Sequence, residues 1–84
     1  MDRSFPLLVV EENPVWLKKM SGILRDAGYG VSSVPNGVKA LNLLREKFFP
    51  VVITDAPMTE LGGLELCRRI RKEHFPGYIY IILL

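Results

Sequence analysis

The 84 residues carry 11 Lys and Arg against 9 Asp and Glu, a formal net charge of +2, and 49% of them are hydrophobic. A chain of this length holds one domain at most, with a thin core, and its hydrophobic share supports a globular fold over disorder. So small a net charge excludes a broadly basic surface for nucleic acid or anionic lipid. The single cysteine, Cys67, excludes an internal disulfide and fits a reducing compartment. No segment approaches the ~20 apolar residues of a membrane span. The first apolar stretch, residues 7–10, is too short for the core of a signal peptide, so the expected setting is soluble and cytoplasmic.

Residues 6–10 are continuous, branched and apolar, as a strand buried on both faces should be. Asn13 followed by Pro14 starts a helix, a capping side chain and then a proline at the first helical position. Leu17, Met20, Leu24 and Ala27 recur there at helical spacing, Lys18, Lys19, Arg25 and Asp26 supply a wet face, and Gly28 ends the helix. A short strand over 31–34 precedes the turn Pro35-Asn36-Gly37, which opens a second helix with the apolar stripe Val38, Leu41, Leu44 and Phe48. Pro50 introduces a third strand, 51–54. The segment 56–63 is too rich in Pro and Gly to be regular. A third helix over about 64–74 turns Leu64, Cys67 and Ile70 inward and Arg68, Arg69, Arg71 and Lys72 mostly outward, and Pro76-Gly77 breaks it. Residues 78–84 form a strand by propensity. The β-α-β-α-β-α-β alternation with right-handed crossovers predicts an α/β fold, a parallel sheet with helices on both faces.

Glu11, Glu12 and Asp55 follow the first and third strands directly. Chemistry in such sheets gathers outside the carboxyl ends of the strands. If those strands are neighbours, the three carboxylates converge on one spot, where they must repel, take up protons or share a cation. A carboxylate is a competent covalent nucleophile. A hard divalent cation held by oxygen ligands would remove its repulsion for an incoming anionic phosphoryl group.

The segments Val9-Val10-Glu11-Glu12-Asn13-Pro14, Val52-Ile53-Thr54-Asp55-Ala56-Pro57-Met58 and Gly63 with Leu64-Glu65-Leu66-Cys67-Arg68-Arg69-Ile70-Arg71 together resemble the receiver domain of bacterial two-component response regulators, in order and over essentially the whole chain. That resemblance implies a flavodoxin-like sheet of order 2-1-3-4-5, of which this chain would hold 2-1-3-4. Asp55 would be the phosphoacceptor, charged by a partner histidine kinase or phosphotransfer protein. Glu11, Glu12, Asp55 and the backbone carbonyl of Pro57 would hold Mg²⁺. The chain would be a signalling acceptor and not an enzyme, with no nucleic-acid or membrane contact of its own.

Four features depart from the family pattern. Both acids of the pair are Glu, each one methylene longer than Asp. Thr59 stands where proline usually follows the methionine, which loosens the loop behind Asp55. Gly62 replaces a polar residue. The chain stops at Leu84, within the fourth strand, so residues 1–84 read as the N-terminal portion of a single domain. A Ser or Thr, a Lys, the fifth strand and the last two helices would lie beyond it. Tyr78 to Leu84 would then form an uncharged sheet edge, and self-association through that edge or through uncovered sheet faces is expected.

Plainer readings stand beside these. Acids just before a helix favour its positive end, and Asp55 could cap local amides at a loop start. Gly63 is expected to supply a positive backbone angle, the basic run 68–72 a solvated helix face, His74 a surface or capping position, and Cys67 a small core residue. Trp16, in the first helical turn, is a candidate kinase contact. Two other functions stay open: a degenerate receiver acting as a phosphorylation-independent interaction module, and a nucleotide or flavin binder. The second would need a phosphate-binding loop where Glu-Glu-Asn-Pro presents carboxylates.

Overall fold

The computed structural model describes residues 5–84. Residues 1–4, which open the N-terminal segment expected not to be a signal peptide, lie outside the described part. Seven elements follow in the expected alternation: β1 (Pro6–Val10), α1 (Pro14–Asp26), β2 (Gly30–Val34), α2 (Gly37–Glu46), β3 (Val51–Thr54), α3 (Gly63–Lys72) and β4 (Tyr80–Leu83). The strands form one sheet in the order β2-β1-β3-β4, and every pairing is parallel. This is the flavodoxin-like arrangement expected from the sequence. Among the described residues no helix is long and apolar enough to cross a membrane.

β1 is central because all its hydrophobic side chains are wanted inside. Leu7, Leu8, Val9 and Val10 are at most 5% exposed, so neither face of the strand is left to water. Alternation along the strands sends Leu8, Val10 and Val52 to one face, where they join Ala40, Leu41, Leu44, Phe49, Leu66, Ile70 and Ile79 in one cluster under α2 and α3. Among the described residues, the opposite face receives α1 alone. Beside it, Met20, Ile23, Leu24, Ile53, Ile82 and Leu84 line an open, almost wholly apolar groove.

Asn13 and Gly28 act at the ends of α1 as expected, and the turn residue Asn36 proves to be a cap as well. The Asn13 side chain accepts hydrogen bonds from the backbone N–H groups of Val15 (2.9 Å) and Trp16 (3.2 Å), with Pro14 directly after it. Asn36 does the same for Lys39 at 2.9 Å. Gly28 ends α1 in the left-handed region, φ 99°.

Several expectations are corrected. In α3 the buried residues are Gly63, Leu66 and Ile70, whereas Leu64 is 57% exposed and Cys67 half-buried. The helix starts one residue early and ends at Lys72 because its C-terminal turn gives way to extended backbone at Glu73. In α2, Ala40 replaces the exposed Val38 on the inward stripe, and Phe48 lies past the helix end beside the fully buried Phe49. Ala27 is the exposed C-terminal cap of α1, not part of its apolar stripe. β4 begins only at Tyr80, since the register pairs it with Val51, the first residue of β3.

Gly63 does not have a positive backbone angle; the left-handed residue of the loop is Leu61, φ 53°. What Gly63 supplies is closeness. A Cβ there would stand 2.4 Å from the Asp55 carbonyl oxygen. Gly37 serves the same end at the start of α2, where a Cβ would meet the Leu61 carbonyl oxygen at 2.1 Å.

Candidate functional site

The register places the site. β1 and β3 pair Val10 with Thr54, so the next residue on each strand, Glu11 and Asp55, emerges at the same level on neighbouring strands. The backbone holds them there: Asp55 N–H donates to the Val10 carbonyl (3.3 Å) and Glu11 N–H to that of Val34 (3.1 Å). The Asp55 carbonyl accepts from the Thr54 hydroxyl at 3.1 Å and from Gly63 N–H at 3.0 Å. Gly63 N–H is shared with the Ala56 carbonyl at 2.9 Å, which fastens the start of α3 against the chain leaving β3.

The two carboxyl groups interact. Glu11 is only 7% exposed, and its carboxylate accepts from the Asn13 N–H at 2.8 Å. Burial, followed by a hydrogen bond to Asp55 and the repulsion of its charge, raises the Glu11 pKa above its ordinary value, against the lowering effect of the Asn13 and Glu12 backbone amides. Beside Asp55, Glu11 favours keeping its proton, or a cation in its place.

Glu12 goes elsewhere. Its side chain is exposed and turns to the loop after β3, where one carboxylate oxygen accepts from both the backbone N–H (2.8 Å) and the hydroxyl of Thr59. Those hydrogen bonds, the hydroxyl's first, lower the Glu12 pKa. Among the described residues no three acidic, His or Cys side chains gather tightly enough to grip one metal ion. The corner is a pair, with the third acid held to one side. Pro57 lies exposed on the same loop.

Around the pair an open cleft of about 410 Å³ is lined by Glu11, Trp16, Met20, Asp55 and Leu84. Trp16 is 56% exposed, with the Lys19 ammonium 5.3 Å from its ring centroid. The basic run of α3 is occupied locally: Arg68 and Arg69 reach Glu65 at 3.4 and 3.3 Å, and the Arg71 guanidinium lies 4.6 Å from the Tyr78 ring centroid. His74 is exposed past the end of that helix.

At the site, Thr59 departs from its expected role. It fastens the loop to Glu12 instead of loosening it. The signal was present: unlike proline, threonine has an N–H and a hydroxyl, two donors on a loop facing an acidic pair.

A parallel 2-1-3-4 sheet with an acid pair at the carboxyl ends of β1 and β3 defines a signalling receiver module, and comparison with known proteins agrees. Residues 7–84 match the family model described as response regulator receiver domain, and the chain belongs to that family. It is 37% identical over 65 residues to a response regulator receiver protein of Anaeromyxobacter sp., covering 77% of this chain and 27% of that protein. To the virulence sensor protein BvgS of Bordetella pertussis it is 42% identical over 76 residues, 89% of this chain and 6% of that one. The crystal structure of a response regulator receiver protein from Pseudomonas putida superposes with a TM-score of 0.89 at 25% identity, over all of this chain and 69% of the other. The chain thus spans about a quarter of the first curated relative's length and two thirds of the solved chain.

Proposed function

We propose that this chain is a phosphoacceptor receiver in two-component signalling, with Asp55 as the acceptor. The observation that carries the reading is the level pairing of Glu11 and Asp55 beyond β1 and β3. In the proposed step an Asp55 carboxylate oxygen attacks the phosphorus of a phosphohistidine on a partner kinase or phosphotransfer protein. The new P–O bond forms as the P–N bond breaks, and the imidazole nitrogen leaves with its electron pair.

The oxygen-only donors at this corner fit Mg²⁺, which is bound through one or two carboxylates together with waters. Glu11, Asp55 and the Pro57 carbonyl would hold it, joined by Glu12 once that side chain leaves Thr59, and when bound it supplies charge neutralisation for the incoming phosphoryl group. The chain's own contribution is placement. The clamped backbone of Asp55 fixes the nucleophile, and the cleft beside Trp16 admits the donor. Nothing in this chemistry calls for turnover of a free substrate, so the reading is of a signalling acceptor in the cytoplasm, not an enzyme. The exposed side chains of Tyr80, Ile82 and Leu83 on the edge strand β4 support self-association of the chain.

Mg²⁺ titration of wild type and Asp55→Asn, followed by beryllofluoride or acetyl phosphate, tests the assignment. Saturable Mg²⁺ binding that weakens in the variant, with phosphoryl uptake confined to wild type, is the expected result. Absence of Mg²⁺ binding at millimolar metal would refute it.

A further inference from the structure

Two features that look unrelated in the sequence meet in the structure. Glu12 has one methylene more than an aspartate would, and Thr59 carries two donors where a proline would carry none. The longer side chain reaches across to the loop, and both donors converge on one of its carboxylate oxygens.

The partners differ in freedom. Thr59 belongs to a loop pinned on either side: Gly63 N–H bonds to the Asp55 and Ala56 carbonyls, and Gly37 N–H bonds to the Glu60 carbonyl at 3.2 Å. The close approaches at Gly37, Gly62 and Gly63 leave that loop little room to shift. Glu12 is exposed and turns about its own side-chain bonds. Glu12 is therefore the member that moves, while Glu11 and Asp55 stay together at the strand ends.

We propose that Thr59 is a positioning residue that holds Glu12 out of the Glu11–Asp55 corner, so that a divalent cation entering the corner must take Glu12 from it. The inference rests on the reading of that corner as a cation site. It adds a competition internal to the chain, which sets cation affinity and couples occupancy of the corner to the loop after β3. A charge-assisted hydrogen bond to a carboxylate exceeds an ordinary one, so the competition is large enough to measure.

The test is a Mg²⁺ titration of wild type, Thr59→Val and Thr59→Ser, read by Trp16 fluorescence from the shared cleft and by the exchange rate of the residue 59 amide. Valine removes the hydroxyl at nearly constant shape and serine keeps it. Thr59→Val is expected to bind Mg²⁺ about three- to tenfold more tightly, the scale of one ordinary hydrogen bond, as suits an exposed pair, while Thr59→Ser stays near wild type. In wild type the Thr59 amide should be protected without metal and lose protection as Mg²⁺ saturates, a readout that needs no variant. Equal or weaker binding by Thr59→Val, or an amide whose protection is unchanged at saturation, overturns the latch while leaving the cation site intact. Absence of Mg²⁺ binding in every variant overturns the cation reading and the latch with it.

Discussion

Gly63→Ala probes how the Asp55 backbone is held. The added methyl would sit 2.4 Å from the Asp55 carbonyl oxygen, 2.8 Å from Leu83 Cδ2 and 3.1 Å from the Ala56 Cα. Optimal contacts lie near 3.5–4.0 Å, so the first overlap is roughly 1 Å. The leucine end can swing away; the two backbone atoms cannot without parting α3 from β3. Overpacking of this kind costs about 1–3 kcal/mol. Loss of the Gly63 N–H bonds to the Asp55 and Ala56 carbonyls would add about 1 kcal/mol. Alanine returns up to ~1 kcal/mol as the better helix former. The net expectation is a loss of about 1–3 kcal/mol. Gly22→Ala is the matched control: Gly22 lies within α1, and no atom stands within 4 Å of its added Cβ. That variant should gain about 0.5–1 kcal/mol. Urea unfolding followed by Trp16 fluorescence measures both. The reasoning fails if the two substitutions shift stability in the same direction, or if Gly63→Ala matches wild type.

Glu11→Gln should stabilise the metal-free fold at neutral pH by roughly 1–4 kcal/mol, the repulsion of two like charges ~4 Å apart between the dielectric of water and an effective value near 20. Because burial and Asp55 raise the folded-state pKa of Glu11, the folded state binds the proton more tightly than the unfolded chain. Its contribution is therefore fully present below the ordinary value of 4.5 and is lost as pH rises through the raised value. Unfolding free energies over that window should fall with pH in wild type and flatten in the variant; a variant less stable than wild type at pH 7 contradicts this. For the edge strand β4, light scattering across a dilution series should show mass rising with concentration, and a monomer throughout would dismiss self-association.

The sequence by itself determined the order of elements and the identity of the acids. Asn13-Pro14, Gly28 and the apolar run 7–10 are local signals, and local backbone chemistry reads the same way in the chain as in the fold. The placement of Asp55 after a β-branched run is of that kind. Face assignment was less legible where several spacings compete. Leu64 and Leu66 are two residues apart on α3, and only the position of the sheet decides that Leu66 is buried and Leu64 wet.

Tertiary structure alone decided the relations between distant residues. The β1–β3 register brings Glu11 level with Asp55 across 44 positions of sequence, as the difference of their numbers gives. Gly63 is required for a close approach to the Asp55 carbonyl, not for an unusual backbone angle. Glu12 joins Thr59, 47 residues away. Residue type states which donors and acceptors exist; which of them meet is fixed by the packing of strands and loops, because a hydrogen bond depends on distances of a few tenths of an ångström that no local pattern encodes.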